Sequence, residues 1–206
     1  MTTICDQKPR IAILISGNGS NLQALIDAVE AERLRGQIVC VVSNKSSAMG
    51  LQRAARAGIE HRVVPYGPHR SAAEPRQAYD AHLASELSVF QPDLIVLAGF
   101  MRVLTPVFLA AFPDKVINLH PALPGAFPGL NAIERAWSAH LAGDLNVTGV
   151  MVHSVIPEID AGPVLGTLEV DMRAYTSLPA LESAIHRAEH QLIVQVVGEY
   201  CLALNA

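Results

Sequence analysis

Asn118 and His120 stand two positions apart in a short apolar segment, and Asp160 lies in a second polar loop further along the chain. Alternate positions on a strand face the same way, so the amide and the imidazole share one side. An aspartate beside a buried histidine favours the imidazolium and fixes the orientation of the ring. An amide donor, a histidine able to pass a proton and a carboxylate form a set suited to attack of an amine on a carbonyl. Asn118 would donate to a developing oxyanion, and protonated His120 would do the same. No serine or cysteine stands at a strand-to-helix elbow, so no covalent intermediate is expected. These residue types leave open whether Asp160 reaches His120, and each of the three could instead serve a turn or the core.

A second chemical feature is the run Ser16, Gly17, Asn18, Gly19, Ser20, Asn21 between an apolar strand and a helix. Glycines allow the sharp turn, and the helix N-terminus offers free N–H groups at its positive end. A dinucleotide fingerprint is not met. Leu22 replaces the third glycine, and Ser43, Asn44 and Lys45 stand where an acidic residue is expected after the second strand. A cradle for one terminal phosphate fits better. The same run could also be a tight connector with Ser20 or Asn21 capping the helix.

Elements must hold these residues in place. Short apolar runs predict strands at 11–15, 37–42, 59–65, 94–98 and 116–119. Helical spacing predicts helices at 21–34, 48–57 and 77–90, with a loop at 66–75 and a short helix after Thr105 and Pro106. A stiff proline-rich loop, 120–129, follows the strand that bears Asn118 and His120. Two further strands at 147–155 and 164–170 flank the Asp160 loop like a hairpin, and a long helix at 178–204 closes the chain. Strands alternating with helices predict an α/β fold: a single-domain, open, mostly parallel, twisted, Rossmann-like sheet with an antiparallel addition near the C-terminus. One domain is expected over 1–206, with a flexible N-terminus at 1–9.

Composition narrows the function classes. The chain has 206 residues, half of them hydrophobic and 17% charged, which is the balance of a packed protein rather than a disordered one. A formal net charge of −4 without blocks of like charge argues against nucleic-acid and membrane surfaces. Three cysteines, Cys5, Cys40 and Cys201, form no CxxC pair and suggest neither a disulfide framework nor a zinc site. No secretory leader is visible, so a cytoplasmic location is expected.

The motifs together resemble a known family. Ile13-Leu14-Ile15-Ser16-Gly17-Asn18-Gly19-Ser20-Asn21-Leu22-Gln23 is similar to the opening of the phosphoribosylglycinamide formyltransferases of purine synthesis. Ser43-Asn44-Lys45, Leu97-Ala98-Gly99-Phe100-Met101-Arg102, Asn118-Leu119-His120-Pro121 and Asp160-Ala161-Gly162-Pro163-Val164 extend the match along nearly the whole chain. The resemblance implies a formyltransferase-type sheet and transfer of the formyl group of 10-formyltetrahydrofolate, a folate co-substrate, to the amine of glycinamide ribonucleotide, without a metal. Direct attack is implied, with the oxyanion held by Asn118 and His120 and supported by Asp160. Carried over by position, Gly19, Ser20 and Asn21 would cradle the ribonucleotide phosphate, and Glu189 would bind the glycinamide portion. Met101, Arg102, Val103 and Leu104 would line the folate pocket, with Ile156, Pro157, Glu158 and Ile159 closing over the pterin and Arg76 contacting the folate. The expected partners are small molecules, with no nucleic acid and no membrane, for a monomer or homodimer. On this length, the added domains of the methionyl-tRNA formyltransferases and the formyltetrahydrofolate hydrolases are not expected.

The family usually reads HPSLLP at the proline-rich loop, whereas this chain has Ala122 and a leucine–proline step shifted by one, so no role is carried over to 122–126. His153 matches a family histidine near the site and is expected to be a structural, hydrogen-bonded residue. His61, His69, His82 and His140 read as surface or loop residues. His186 and His190 share a helix face without a zinc-helix pattern, and Lys45 either helps to hold phosphate or is solvated. Trp137 reads as helix packing. Two other functions remain open: a folate-dependent formyltransferase acting on another small amine, and a phosphate-ligand binding module.

Overall fold

Strands that are apolar on both faces must be covered on both faces, and the central strands here are of that kind. Residues 8–204 are described by a computed structural model. In chain order they form β1 (Arg10–Ile15), α1 (Ser20–Glu30), β2 (Gln37–Ser43), α2 (Met49–Arg56), β3 (His61–Val63), α3 (Pro75–Ser88) and β4 (Leu94–Leu97). There follow α4 (Pro106–Ala111), β5 (Val116–His120), α5 (Ala132–Leu141), β6 (Val147–Ser154), β7 (Val164–Asp171) and α6 (Leu178–Leu204). The seven strands make one sheet in the order β3-β2-β1-β4-β5-β6-β7. β1 to β5 run parallel, while β6 and β7 are antiparallel additions. This is the expected architecture. The expected flexible N-terminus lies for the most part outside the described residues. Within it, Pro9 is buried and its carbonyl accepts the Gln37 N–H at 2.8 Å.

The two-residue period of the strands divides the core. Ile11, Ile13 and Ile15 of β1 join one apolar cluster with α1, α2 and α6, while Ala12 and Leu14 join a second with α3 and α4. β4 divides likewise, Leu94 and Val96 facing the first cluster and Ile95 and Leu97 the second. Several expected boundaries shift. The third strand, expected at 59–65, is only His61–Val63, because an edge strand has one partner and pairs only where β2 reaches it. α3 begins at Pro75 rather than at 77, since proline lacks the N–H that a first-turn position leaves unpaired anyway. α1 ends at Glu30, with Glu32 in the left-handed region at φ 55°, so 31–34 is a turn. The expected loop contains one turn of 3₁₀ helix, Gly67–His69. α5 was not among the expected elements.

Sheet order reverses between β1 and β4, which opens a crevice at the carboxyl ends of these strands. The loop from β1 into α1 enters it through Gly19, at φ 75°. A Cβ there would sit 2.7 Å from the Gly50 Cα, so the loop also needs glycine to pack on α2. Gly19→Ala should therefore lose about 1–2 kcal/mol from left-handed backbone strain alone, before any clash. The denaturant midpoint would report it, and a variant as stable as the parent would show that the loop is not tightly held.

Candidate active site

β5 ends at His120 with Asn118 and His120 on one side of the strand. Its antiparallel pairing with β6 sets Asn118 opposite His153. The chain then leaves β6, turns through 156–162 and brings Asp160 back over β5, with Asp160 itself left-handed at φ 51°. Gly162 permits that return, because a Cβ there would collide with the Ser154 carbonyl. The two polar stretches, 42 positions apart, thus meet: the Asp160 carboxylate accepts the Asn118 amide N–H at 3.3 Å. Its other oxygen lies 3.4 Å from His120 Nδ1.

The carboxylate has more partners than the sequence suggested. The Gly129 N–H donates to Asp160 Oδ2 at 2.8 Å, and His153 Nε2 lies 3.5 Å from Oδ1. Opposite Asp160, the Phe127 carbonyl faces His120 Nε2 at 3.2 Å. The proline-rich loop therefore acts directly on the imidazole through the backbone of Phe127, φ 46°, and on the carboxylate through Gly129, φ 82°. Ala122, which replaces the family's serine, is fully buried, and the shifted step leaves the loop's reach to His120 and Asp160 intact. His153 Nδ1 faces the Ser154 carbonyl at 2.9 Å, while its Nε2 lies 3.1 Å from the Asn118 amide nitrogen as well as beside Asp160. His153 is thus a bonded residue that also fixes the Asn118 amide.

Both nitrogens of His120 face acceptors, which favours the imidazolium, yet the ring is buried. Burial is the larger influence and holds its pKa below the ordinary histidine value, with Asp160 and the Phe127 carbonyl pulling the other way. The expected imidazolium is therefore poised rather than permanent at neutral pH. Burial also raises the Asp160 carboxyl, but the His153 contact, the Gly129 N–H and the His120 charge outweigh it, and its pKa falls.

The same cleft, of about 760 Å³, runs from this cluster to the N-terminus of α1, a size suited to small-molecule ligands. Gly19 is the N-cap of α1 and no side chain caps the helix, so neither Ser20 nor Asn21 plays the capping part that was one of the two readings. Gly19, Ser20 and Asn21, at the positive end of the helix, line the cleft, as an anion site needs. Asn21 is buried, its Oδ1 lacks a partner and its Nδ2 donates to Glu189 Oε2 at 3.4 Å. Glu189, buried in the middle of α6, also pairs with His186 Nδ1 at 2.8 Å, and this hydrogen bond raises the His186 pKa. Lys45 and His186 line the cleft, while Arg53 holds the loop by donating to the Asn18 carbonyl at 2.9 Å.

At the other end Met101, Arg102, Val103 and Leu104 line the cleft with Ile156, Glu158 and Ile159. The Arg102 guanidinium turns away and stacks 3.7 Å over the Tyr66 ring, which leaves its backbone to the lining. Arg76 and Pro157 do not enter this cleft. They line an adjoining groove of about 330 Å³ that shares Val103 and Leu104 with it, and Arg76 donates to the Val103 carbonyl at 3.2 Å. Residues 129–134, at the start of α5, line the cleft without having been expected there. Of these, Asn131 has φ 56° at the N-cap, a conformation that asparagine tolerates and the one local signal that could have marked the helix start. Among the described residues no group of three or more His, Cys, Asp or Glu could hold a metal, and no helix is long and apolar enough to cross a membrane.

The pKa shifts set a pH dependence of stability. Burial lowers His120 and, as the largest cause there too, His190, so below about pH 6.5 the unfolded chain takes up protons that the native state resists. Stability from these groups is full above that value and falls as pH drops through their folded values. Asp160 adds a second loss at lower pH, whereas the His186 pair acts in the opposite sense, losing its contribution as pH rises through its raised value. The Tm should fall between pH 7 and pH 5, less steeply in His120→Ala, and a scanning-calorimetry series with equal slopes would contradict the assignment.

The formyl transferase family model matches residues 9–197. The chain is 45% identical over 197 residues to the phosphoribosylglycinamide formyltransferase of Schizosaccharomyces pombe, covering 92% of this chain and 95% of the relative. It is 38% identical over 186 residues to the trifunctional purine biosynthetic protein adenosine-3 of Homo sapiens, covering 90% of this chain and 18% of that much longer one. The crystal structure of glycinamide ribonucleotide transformylase 1 from Symbiobacterium toebii superposes with a TM-score of 0.87 at 34% identity, covering 97% of this chain and 90% of that one.

Proposed function

The chain belongs to the phosphoribosylglycinamide formyltransferase family, and from that premise we propose how its site carries a formyl group from a folate to an amine in purine biosynthesis. The amine acceptor is glycinamide ribonucleotide, the donor is 10-formyltetrahydrofolate, and residues 1–206 act as one catalytic domain. The observation that carries this reading is the Asp160 carboxylate, 3.4 Å from His120 and 3.3 Å from Asn118, in one cleft with an uncapped helix N-terminus.

The N–H groups of Gly19, Ser20 and Asn21 take the ribonucleotide phosphate, with Lys45 adjacent. Glu189 and the unpartnered Asn21 Oδ1 accept N–H or O–H donors from the rest of that substrate, which points its amine toward His120. Backbone groups of 101–104 and the 156–159 loop hold the folate ring, while Arg76 and Pro157 meet its far end from the adjoining groove. The folate supplies an activated formyl carbon.

The glycinamide nitrogen attacks that carbon, a C–N bond forms, and negative charge collects on the formyl oxygen. Asn118 turns one amide N–H, shared in this structure with His153 and Asp160, onto that oxygen. The new charge raises the His120 pKa, so a ring held neutral by burial becomes the proton carrier when it is needed. Asp160 keeps the resulting imidazolium oriented and paired. The proton leaves the attacking nitrogen, reaches the folate nitrogen as its bond to the formyl carbon breaks, and the products are the formylated amide and tetrahydrofolate. Burial of His120 and Asp160 limits water at the reacting carbon and so keeps the formyl group from hydrolysis.

The test is an assay with glycinamide ribonucleotide and 10-formyltetrahydrofolate in the presence of a chelator. Formation of both products at equal rates is expected. Transfer to a different amine but not to this one would overturn the acceptor, and binding of both ligands without transfer would overturn the enzymatic reading.

A further inference from the structure

Ser16 follows β1 directly, at the point where the sheet order reverses between β1 and β4. Its side chain is buried and lies between three loops. The hydroxyl donates its one proton to Asn44 Oδ1 at 2.7 Å and accepts the Met101 N–H at 2.8 Å. Its backbone N–H donates to the Gly99 carbonyl at 3.0 Å. One hydroxyl thereby joins the ends of β1, β2 and β4.

These loops belong to opposite ends of the cleft. Gly17 follows Ser16 into the phosphate cradle, and Asn44 directly precedes Lys45, which lines the same end. Met101 opens the 101–104 segment assigned to the folate; its side chain is 60% exposed, and its backbone N–H is held by Ser16. Other ties on or next to this segment, Arg76 to the Val103 carbonyl, the Arg102 guanidinium over the Tyr66 ring and the Thr105 N–H to Asp80 Oδ2 at 2.5 Å, come from α3 and the loop before it and touch nothing in the cradle. Ser16 is the residue common to both ends.

We propose that Ser16 is a positioning residue that couples the two substrate subsites, so that occupancy of the phosphate cradle raises folate affinity and the reverse. A phosphate held by the first-turn N–H groups fixes the backbone at 17–21 and hence Ser16. The fixed hydroxyl holds Met101, and the second ligand then meets a segment whose ordering has already been achieved. Linkage makes the effect reciprocal. The inference rests on the two-substrate reading above, and it gives that reading a means of favouring the folate when an acceptor is present.

The test measures the Kd of tetrahydrofolate, which cannot react, with and without saturating glycinamide ribonucleotide. The intact protein should bind it at least about 5-fold more tightly with the ribonucleotide present. Ser16→Ala should bring the two values within about 2-fold of each other while formyl transfer persists at raised KM for both substrates. Arg76→Ala should weaken tetrahydrofolate by the same factor in both conditions. An intact protein without coupling, or a Ser16→Ala variant that retains it, overturns the proposal. If Ser16→Ala fails to fold, Asn44→Ala removes only the hydroxyl's acceptor; partial loss of coupling supports the proposal and full retention overturns it. Absence of any formyl transfer by the intact protein would instead sink the function itself.

Discussion

His120→Ala should lower kcat by about 10³- to 10⁴-fold while leaving the KM of glycinamide ribonucleotide within about 3-fold, as removal of one proton carrier and one oxyanion donor predicts. The ring stands 3.4 Å from Asp160 Oδ2 and 3.2 Å from the Phe127 carbonyl, and none of its contacts involves the phosphate cradle. Ground-state binding should therefore survive. The alanine leaves a cavity in a buried place, so the comparison needs a melting curve showing that both proteins are folded at the assay temperature. Turnover within about 10-fold of the intact protein would remove His120 from the chemistry, because a mere neighbour could be replaced at that level of cost.

Asp160→Asn should cost about 10²- to 10³-fold in kcat, somewhat less than loss of the ring itself. Asparagine keeps the shape, tolerates the left-handed backbone at φ 51° and retains an oxygen for the Gly129 N–H. What disappears is the charge. Asp160 is the strongest influence raising the His120 pKa against burial, so the ring should titrate at a still lower pH in the variant. NMR titration of His120 separates this from a structural effect. A slow enzyme whose ring titrates where the intact one does would assign Asp160 a packing role. The double variant should be scarcely slower than His120→Ala alone, because residues acting as a unit are non-additive.

Much of the fold was legible because its signals are local. The continuous apolar runs of β1 and β4 fix buried strands whatever surrounds them, and the glycine-containing turn before α1 marks a helix start. Boundaries were less legible where pairing decided them. β3 is short because β2 offers it only three partners, and no residue within 59–65 announces that. The start of α5 rests on the left-handed Asn131, which sequence spacing does not reveal. The fold family followed from motifs in order along the chain, and the motifs also named Asn118, His120 and Asp160 without showing that they meet.

By itself the sequence determined which chemical groups are present, which strands must be buried and which family the chain joins. These depend on residue type and near-neighbour spacing, which the chain carries locally. The tertiary structure alone decided that Asp160 reaches His120, that the Phe127 carbonyl and Gly129 N–H join them, and that Arg76 and Pro157 stand in the next groove. It also decided that burial keeps His120 from holding its proton permanently. Hydrogen bonds act over about 3 Å and desolvation depends on every atom packed around a group, so both are properties of positions in space that distant parts of the chain must build together.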